Sequence, residues 1–159
     1  WVLRSAPIDI GVVMREKLVF SMIPILAISM TLALMTNWIL AADRFTSWLS
    51  FGALITVGLA ICVMGVGFGA LFPNFAVENI HQIESSVGGF VYMAACLFYV
   101  WITIAVLAAP MQMHFAERFG TGVWDPRVAF YSGAGWLTLN LVAFILPWQL
   151  GRRALENHE

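Results

Sequence analysis

Four long runs of apolar residues dominate the chain, with short polar stretches between them. They cover about residues 18–42, 48–72, 89–110 and 128–150, and none contains Asp, Glu, Lys, Arg or His. A helix needs about 20 such residues to cross the roughly 30 Å hydrocarbon core. The runs lack the alternation of a membrane β-strand, and in lipid an uninterrupted apolar segment satisfies its backbone groups only as a helix. The pattern predicts an all-α integral membrane protein with about four transmembrane helices. The polar link Asp43–Ser47 between the first two runs suits a tight helical hairpin.

Two further stretches read as short amphipathic helices. In residues 1–17, Pro7 precedes Asp9, a plausible N-cap, and Ile10, Val13, Met14 and Lys17 recur at helical spacing. This predicts an elbow lying at the headgroup level, with Arg4, Arg15 and Lys17 meeting anionic lipid phosphates. In residues 73–88, Ala76, Ile80, Ile83 and Val87 share one face, while Glu78, His81, Gln82, Glu84 and Ser85 lie elsewhere. Pro73 and Asn74 stop the preceding helix, and Gly88 with Gly89 loosens the entry to the next. An acidic face suits an anionic lipid surface poorly. A basic groove on a protein partner fits this connector better.

Composition places the chain in lipid. Hydrophobic residues make up 61% and charged residues 11%, against about 45–50% and about 25% in a soluble domain. The 159 residues suffice for one transmembrane domain. Net charge is −1 with the basic residues scattered, which argues against a nucleic-acid partner. Arg4, Arg15, Lys17, Arg152 and Arg153 fall on one side of the spans, and Arg44, Arg118 and Arg127 on the other. This bias predicts that both ends, including the tail 151–159, and the connector 73–88 are cytoplasmic. The opening at Trp1, without a secretory leader pattern, reads as a piece of something longer.

Candidate chemistry inside the spans is sparse. Gly65 and Gly69 form a GxxxG pair that lets helices approach closely, and a packing role is expected for them. Asn140 is the most polar side chain deep in a span; it fits an interhelical hydrogen bond and is also the candidate for lining a pathway. Tyr92, Tyr99 and Thr103 either face a cavity or pack. Trp48, Trp124 and Trp148 sit near span ends, as interfacial anchors do. Cys62 and Cys96 lie in apolar runs without metal-ligand spacing and read as core residues. His81 has no ligand set around it. His114 and Glu117 stand one helical turn apart, but the segment carries no HExxH or nucleophile motif, and solvated loop charges are the expectation. No catalytic, metal or cofactor site is expected in the chain.

Two segments resemble the permease subunits of ABC-type exporters, in particular a bacterial family of large exporter permeases. One is Trp1-Val-Leu-Arg-Ser-Ala-Pro7 leading to Lys17, similar to the cytoplasmic elbow ahead of a span. The other is Gly67-Phe-Gly-Ala-Leu-Phe-Pro-Asn-Phe75, continuing through Glu78-Asn79, Ile83, Ser85-Ser86, Gly88-Gly89 and Tyr92-Met93. The resemblance covers about Trp1 to Met93; beyond it only general hydrophobicity is shared. It implies the carboxyl-terminal part of a permease in the bacterial cytoplasmic membrane, working as a homodimer or heterodimer. ATP and magnesium would be held by a separate cytoplasmic ATP-binding subunit, coupled through Arg4, Pro7, Glu78, His81 and Glu84. Spans without ionisable residues offer no proton or sodium relay, which agrees with an external energy source. A non-transporting membrane assembly or anchor protein is the alternative.

Overall fold

A computed structural model describes residues 10–72 and 86–156. Among them are four helices and no strands: α1 Ile10–Ile39, α2 Arg44–Leu71, α3 Val87–Arg118 and α4 Pro126–Glu156. All four are long and apolar enough to cross a membrane, so the chain is an all-α, multi-pass membrane protein. At 28 to 32 residues, each reaches roughly 42–48 Å, enough to continue from the hydrocarbon into the headgroup layer.

The helices overrun the apolar runs at several ends. Residues 10–17, the second half of the expected elbow, are the first turns of α1 and continue into the span without a break. Most of the Asp43–Ser47 link belongs to α2, α3 passes Pro110 to reach Arg118, and residues 151–156 of the expected tail extend α4. Polar side chains are compatible with helix; caps and turns set the ends, and apolarity marks only the part that meets lipid. Residues 1–9, 73–85 and 157–159 lie outside the described residues, and with them the rest of the elbow and the core of the connector.

Proline inside a membrane helix leaves the carbonyl four residues earlier without its partner. For Pro110 in α3 that carbonyl belongs to Val106, and the Ser132 hydroxyl of α4 donates to it. A neighbouring hydroxyl thus restores what the imino acid removes.

α1 and α3 end in the same turn. After α1, the Ala41 N–H donates to the Trp38 carbonyl at 3.2 Å and the Ala42 N–H to the Asn37 carbonyl at 3.0 Å. After α3, the Gly120 N–H donates to Glu117 at 3.1 Å and the Thr121 N–H to Ala116 at 2.8 Å. This is the Schellman arrangement, whose key residue is left-handed and usually glycine. Gly120 has φ 71° and Ala41 φ 47°. The left-handed region costs an L-residue roughly 1–2 kcal/mol. Ala41→Gly is therefore expected to stabilise the protein by about 1 kcal/mol, seen as a raised midpoint of denaturant unfolding in mixed micelles.

α2 is the interior helix. It packs against all three others and buries Gly58, Ala60, Cys62, Val63, Met64, Gly67 and Ala70. The small buried core joins Ala60 and Met64 of α2 to Tyr99 of α3 and Ala143 of α4. α2 and α4 run parallel, since Gly52 faces Trp136 near their starts and Gly67 meets Pro147 and Gly151 near their ends. α1 and α3 run the opposite way. The α1–α2 turn and the α3–α4 turn thus share one end of the bundle, here the hairpin end. The connector between α2 and α3 leaves from the other, the connector end. Large apolar side chains such as Phe20, Trp38, Phe90, Leu97 and Trp101 remain exposed on the outer faces, as lipid contact requires.

Candidate functional site

The polar side chains Asn140, Tyr99, Thr103 and Tyr92 inside the bundle bond to one another or to helix carbonyls. Asn140, 9% exposed, accepts a hydrogen bond from the Tyr99 hydroxyl at 2.8 Å. Its amide nitrogen donates to the Trp136 carbonyl one turn back at 2.7 Å. The residue is a bridge between α3 and α4. Thr103 turns to its own helix, donating to the Tyr99 carbonyl at 2.9 Å. Tyr92 covers Gly65 and reaches the Ile61 carbonyl at 3.5 Å. Of the two roles open to these residues in the sequence, the geometry is that of packing.

The closest helix approach is not at the GxxxG pair. A Cβ on Gly65 would make ordinary contact with the Tyr92 ring, and one on Gly69 would meet nothing within 4 Å among the described residues. A Cβ on Gly67 would come within 2.5 Å of the Pro147 carbonyl oxygen, and one on Gly151 within 2.6 Å of the Gly67 carbonyl oxygen. The backbones of α2 and α4 touch here because neither glycine has a side chain. Sequence spacing alone singles out Gly65 and Gly69, because Gly151 lies far away in the chain and only the fold pairs it with Gly67.

At the connector end, Phe72 closes over the start of α3. A Cβ on Gly88 would lie 2.7 Å from the Phe72 Cβ. The Phe72 N–H donates to the Phe68 carbonyl at 3.1 Å, and Ser86 caps α3 by accepting from the Gly89 N–H at 3.1 Å. Exit and entry of the connector are therefore held side by side. Its residues Glu78, His81 and Glu84, like Arg4 and Pro7 near the amino end, lie outside the described residues.

At the hairpin end a polar cluster ties three segments together. Asp43, immediately before α2, accepts from the Thr46 hydroxyl at 2.6 Å; its other oxygen lies 2.7 Å from His114 Nε2 of α3, and Arg118 stands 3.5 Å away. Phe45 packs against the His114 ring at 4.5 Å, tilted by 33°, and meets Trp124 edge-on at 5.6 Å. His114 thus pairs with Asp43, not with Glu117 on its own helix. Sequence reasoning missed the pair because the partners are distant in the chain, although a lone acid in a hairpin link was a visible signal. Trp124 joins this cluster, whereas Trp48 is exposed.

The Thr46 hydrogen bond is the largest influence on the Asp43 carboxyl, which is held at about 2 from an ordinary 3.8; His114 adds to it and partial burial opposes it. A carboxyl depressed on folding contributes stability above its ordinary value and loses it as the pH falls through the folded one. Detergent-solubilised protein is expected to lose thermal stability between about pH 4 and pH 2, and Asp43→Asn to flatten that part of the profile. An unchanged profile in the variant would remove Asp43 from the account.

Among the described residues no group of three or more His, Cys, Asp or Glu side chains could hold a metal ion. A family model described as "Putative ATP-binding cassette" matches residues 1–159. No curated protein and no solved structure matches the chain.

Proposed function

Because the chain belongs to the ATP-binding cassette family just described, we propose that it is a membrane-spanning permease part of an ATP-driven exporter. It would supply the translocation pathway and couple to a separate ATPase. The observation that carries this reading is the fold itself: a family member built from four helices long and apolar enough to cross a membrane. The sequence has no G-x-x-x-x-G-K-[ST] loop to cradle ATP phosphates. On the permease reading, ATP and magnesium are assigned to a partner subunit, and no catalytic step to these residues.

The Phe72–Gly88 clasp supports placing the coupling contact in the connector. Force applied to a segment whose two ends are held side by side reaches α2 and α3 together. Glu78, His81 and Glu84 are the proposed contacts to the ATPase, with Arg4 and Pro7 as a second touching point. The excess of Lys and Arg at the connector end supports a cytoplasmic position for it and for both termini of the chain, in a bacterial cytoplasmic membrane. Asn140, bridging α3 and α4, is assigned a structural role, as a strut between the two helices.

The test is co-purification of the full-length protein in mild detergent. An ATP-binding subunit should accompany the native protein, and E78K/E84K should release it at unchanged expression. Retention by the variant would move the coupling contact away from the connector. Absence of any ATPase from the native preparation would favour a non-transporting membrane assembly protein.

A further inference from the structure

The helix directions gather charge unequally at the two ends of the bundle. α1 and α3 run against α2 and α4, so the start of α1, the end of α2, the start of α3 and the end of α4 share the connector end. Three residues rise about 4.5 Å along a helix, which stays inside the headgroup layer of roughly 5–7 Å on each side of the hydrocarbon. Within three residues of an apolar run, the connector end carries Arg15, Lys17, Arg152 and Arg153 against Glu16. The hairpin end carries Arg44 and Arg127 against Asp43 and Asp125. At the level of the lipid phosphates, one end is therefore net positive and the other neutral. The acids of the segments leaving the connector end, Asp9, Glu78, Glu84, Glu156 and Glu159, stand five or more residues from any run.

Arg15, Lys17 and Arg153 are exposed, and among the described residues no ion pair engages them. Arg15 lies one turn from the exposed Val12 and Val19 of α1, and Arg153 one turn beyond the exposed Leu150 of α4. Residues three or four apart share a helix face, so both guanidinium groups continue stripes that face lipid. A long basic side chain in that position lays its stem along apolar surface and carries its charge to the phosphates. Arg152 is engaged within the chain; setting it aside still leaves three cations against Glu16. At the hairpin end the acids sit beside the cations: Asp43 directly precedes Arg44, and the Asp125 carboxylate accepts from the Arg127 N–H at 2.9 Å.

We infer that Arg15, Lys17 and Arg153 bind the phosphates of anionic phospholipids in the leaflet at the connector end, and that the hairpin end has no such preference. The inference goes beyond the permease reading and does not depend on it, because it uses only helix direction, exposure and charge. Position favours lipid over an acidic protein face: the three side chains leave the helices within about 4.5 Å of the apolar runs, two of them along lipid-facing stripes.

The experiment measures spin-labelled phosphatidylglycerol against spin-labelled phosphatidylcholine at the protein surface, with the full-length protein in phosphatidylcholine vesicles. The native protein should prefer phosphatidylglycerol by about threefold or more, since a basic residue near an anionic surface gains a factor of about five. R15Q/K17Q/R153Q should bring the ratio close to parity. D125N/R127Q, which keeps the hairpin end neutral, should retain the native ratio. Parity in the native protein, a ratio unmoved by R15Q/K17Q/R153Q, or an equal loss in D125N/R127Q overturns the inference. A ratio unmoved by R15Q/K17Q/R153Q together with loss of a co-purifying ATPase gives these cations to a protein partner instead.

E16Q tests the same surface without removing a cation. It deletes the opposing charge at an exposed position of α1, so the preference for phosphatidylglycerol should rise; an unchanged or lower ratio counts against the lipid site.

Discussion

Gly67→Ala is expected to destabilise the protein by about 2 kcal/mol, in the range for overpacking a tight interior. The added methyl would stand 2.5 Å from the Pro147 carbonyl oxygen and 2.8 Å from its Cβ. The obstacle is main chain, so the helices must separate; no side-chain rotation relieves the clash. Gly151→Ala meets the same barrier from the other side, at the Gly67 carbonyl and the Ala70 Cβ. Gly69→Ala is the control: among the described residues nothing lies within 4 Å of the new methyl, and helix propensity favours alanine by up to about 1 kcal/mol. Unfolding in mixed micelles should rank Gly69→Ala at or above the native protein and the other two well below it. Equal damage at position 69 would show that its open face is covered by something other than the described residues.

Asn140→Leu carries the second large effect. It removes the acceptor of the buried Tyr99 hydroxyl and the donor to the Trp136 carbonyl. An unpaired buried group costs about 1–3 kcal/mol, and interhelical hydrogen bonds in membranes are measured at about 0.6 kcal/mol on average, up to about 1.7. A loss of roughly 1.5 kcal/mol is expected. Tyr99→Phe should lose less, because it leaves Asn140 able to keep its own-helix bond. In the double variant, the summed losses should exceed the observed one by about 1 kcal/mol, which is the signature of a direct bond. A strut role predicts that transport falls in proportion to folded protein in all three variants. Transport lost from fully folded Asn140→Leu but kept in Tyr99→Phe would instead make Asn140 a substrate contact.

Apolar run length was sufficient to read the four helices. A run of more than twenty uncharged residues has one stable solution in lipid, whatever its neighbours are. Helix ends were less legible. Residues 10–17 looked like a separate elbow because their charges differ from those of the span, yet backbone hydrogen bonding continues through them. The turn at Ala41 was equally hidden, since alanine carries no turn signal and only the backbone shows its left-handed φ.

The helix pairs were not written in any local pattern. Gly65 and Gly69 satisfied a spacing rule, but spacing describes one helix and says nothing about which face another approaches; Gly67 makes the contact because Pro147 and Gly151 arrive there. Asp43 and His114 looked like separate loop charges until the antiparallel packing of α2 and α3 brought them to 2.7 Å. Ser132 became the partner of a carbonyl freed by Pro110 for the same reason. The sequence by itself determined the solvent, the helix class and the approximate span positions, because partition into lipid depends on local composition. Only the tertiary structure decided which glycine, carboxylate and hydroxyl meet a partner, because those contacts join residues far apart in the chain and depend on the rotation of each helix about its own axis.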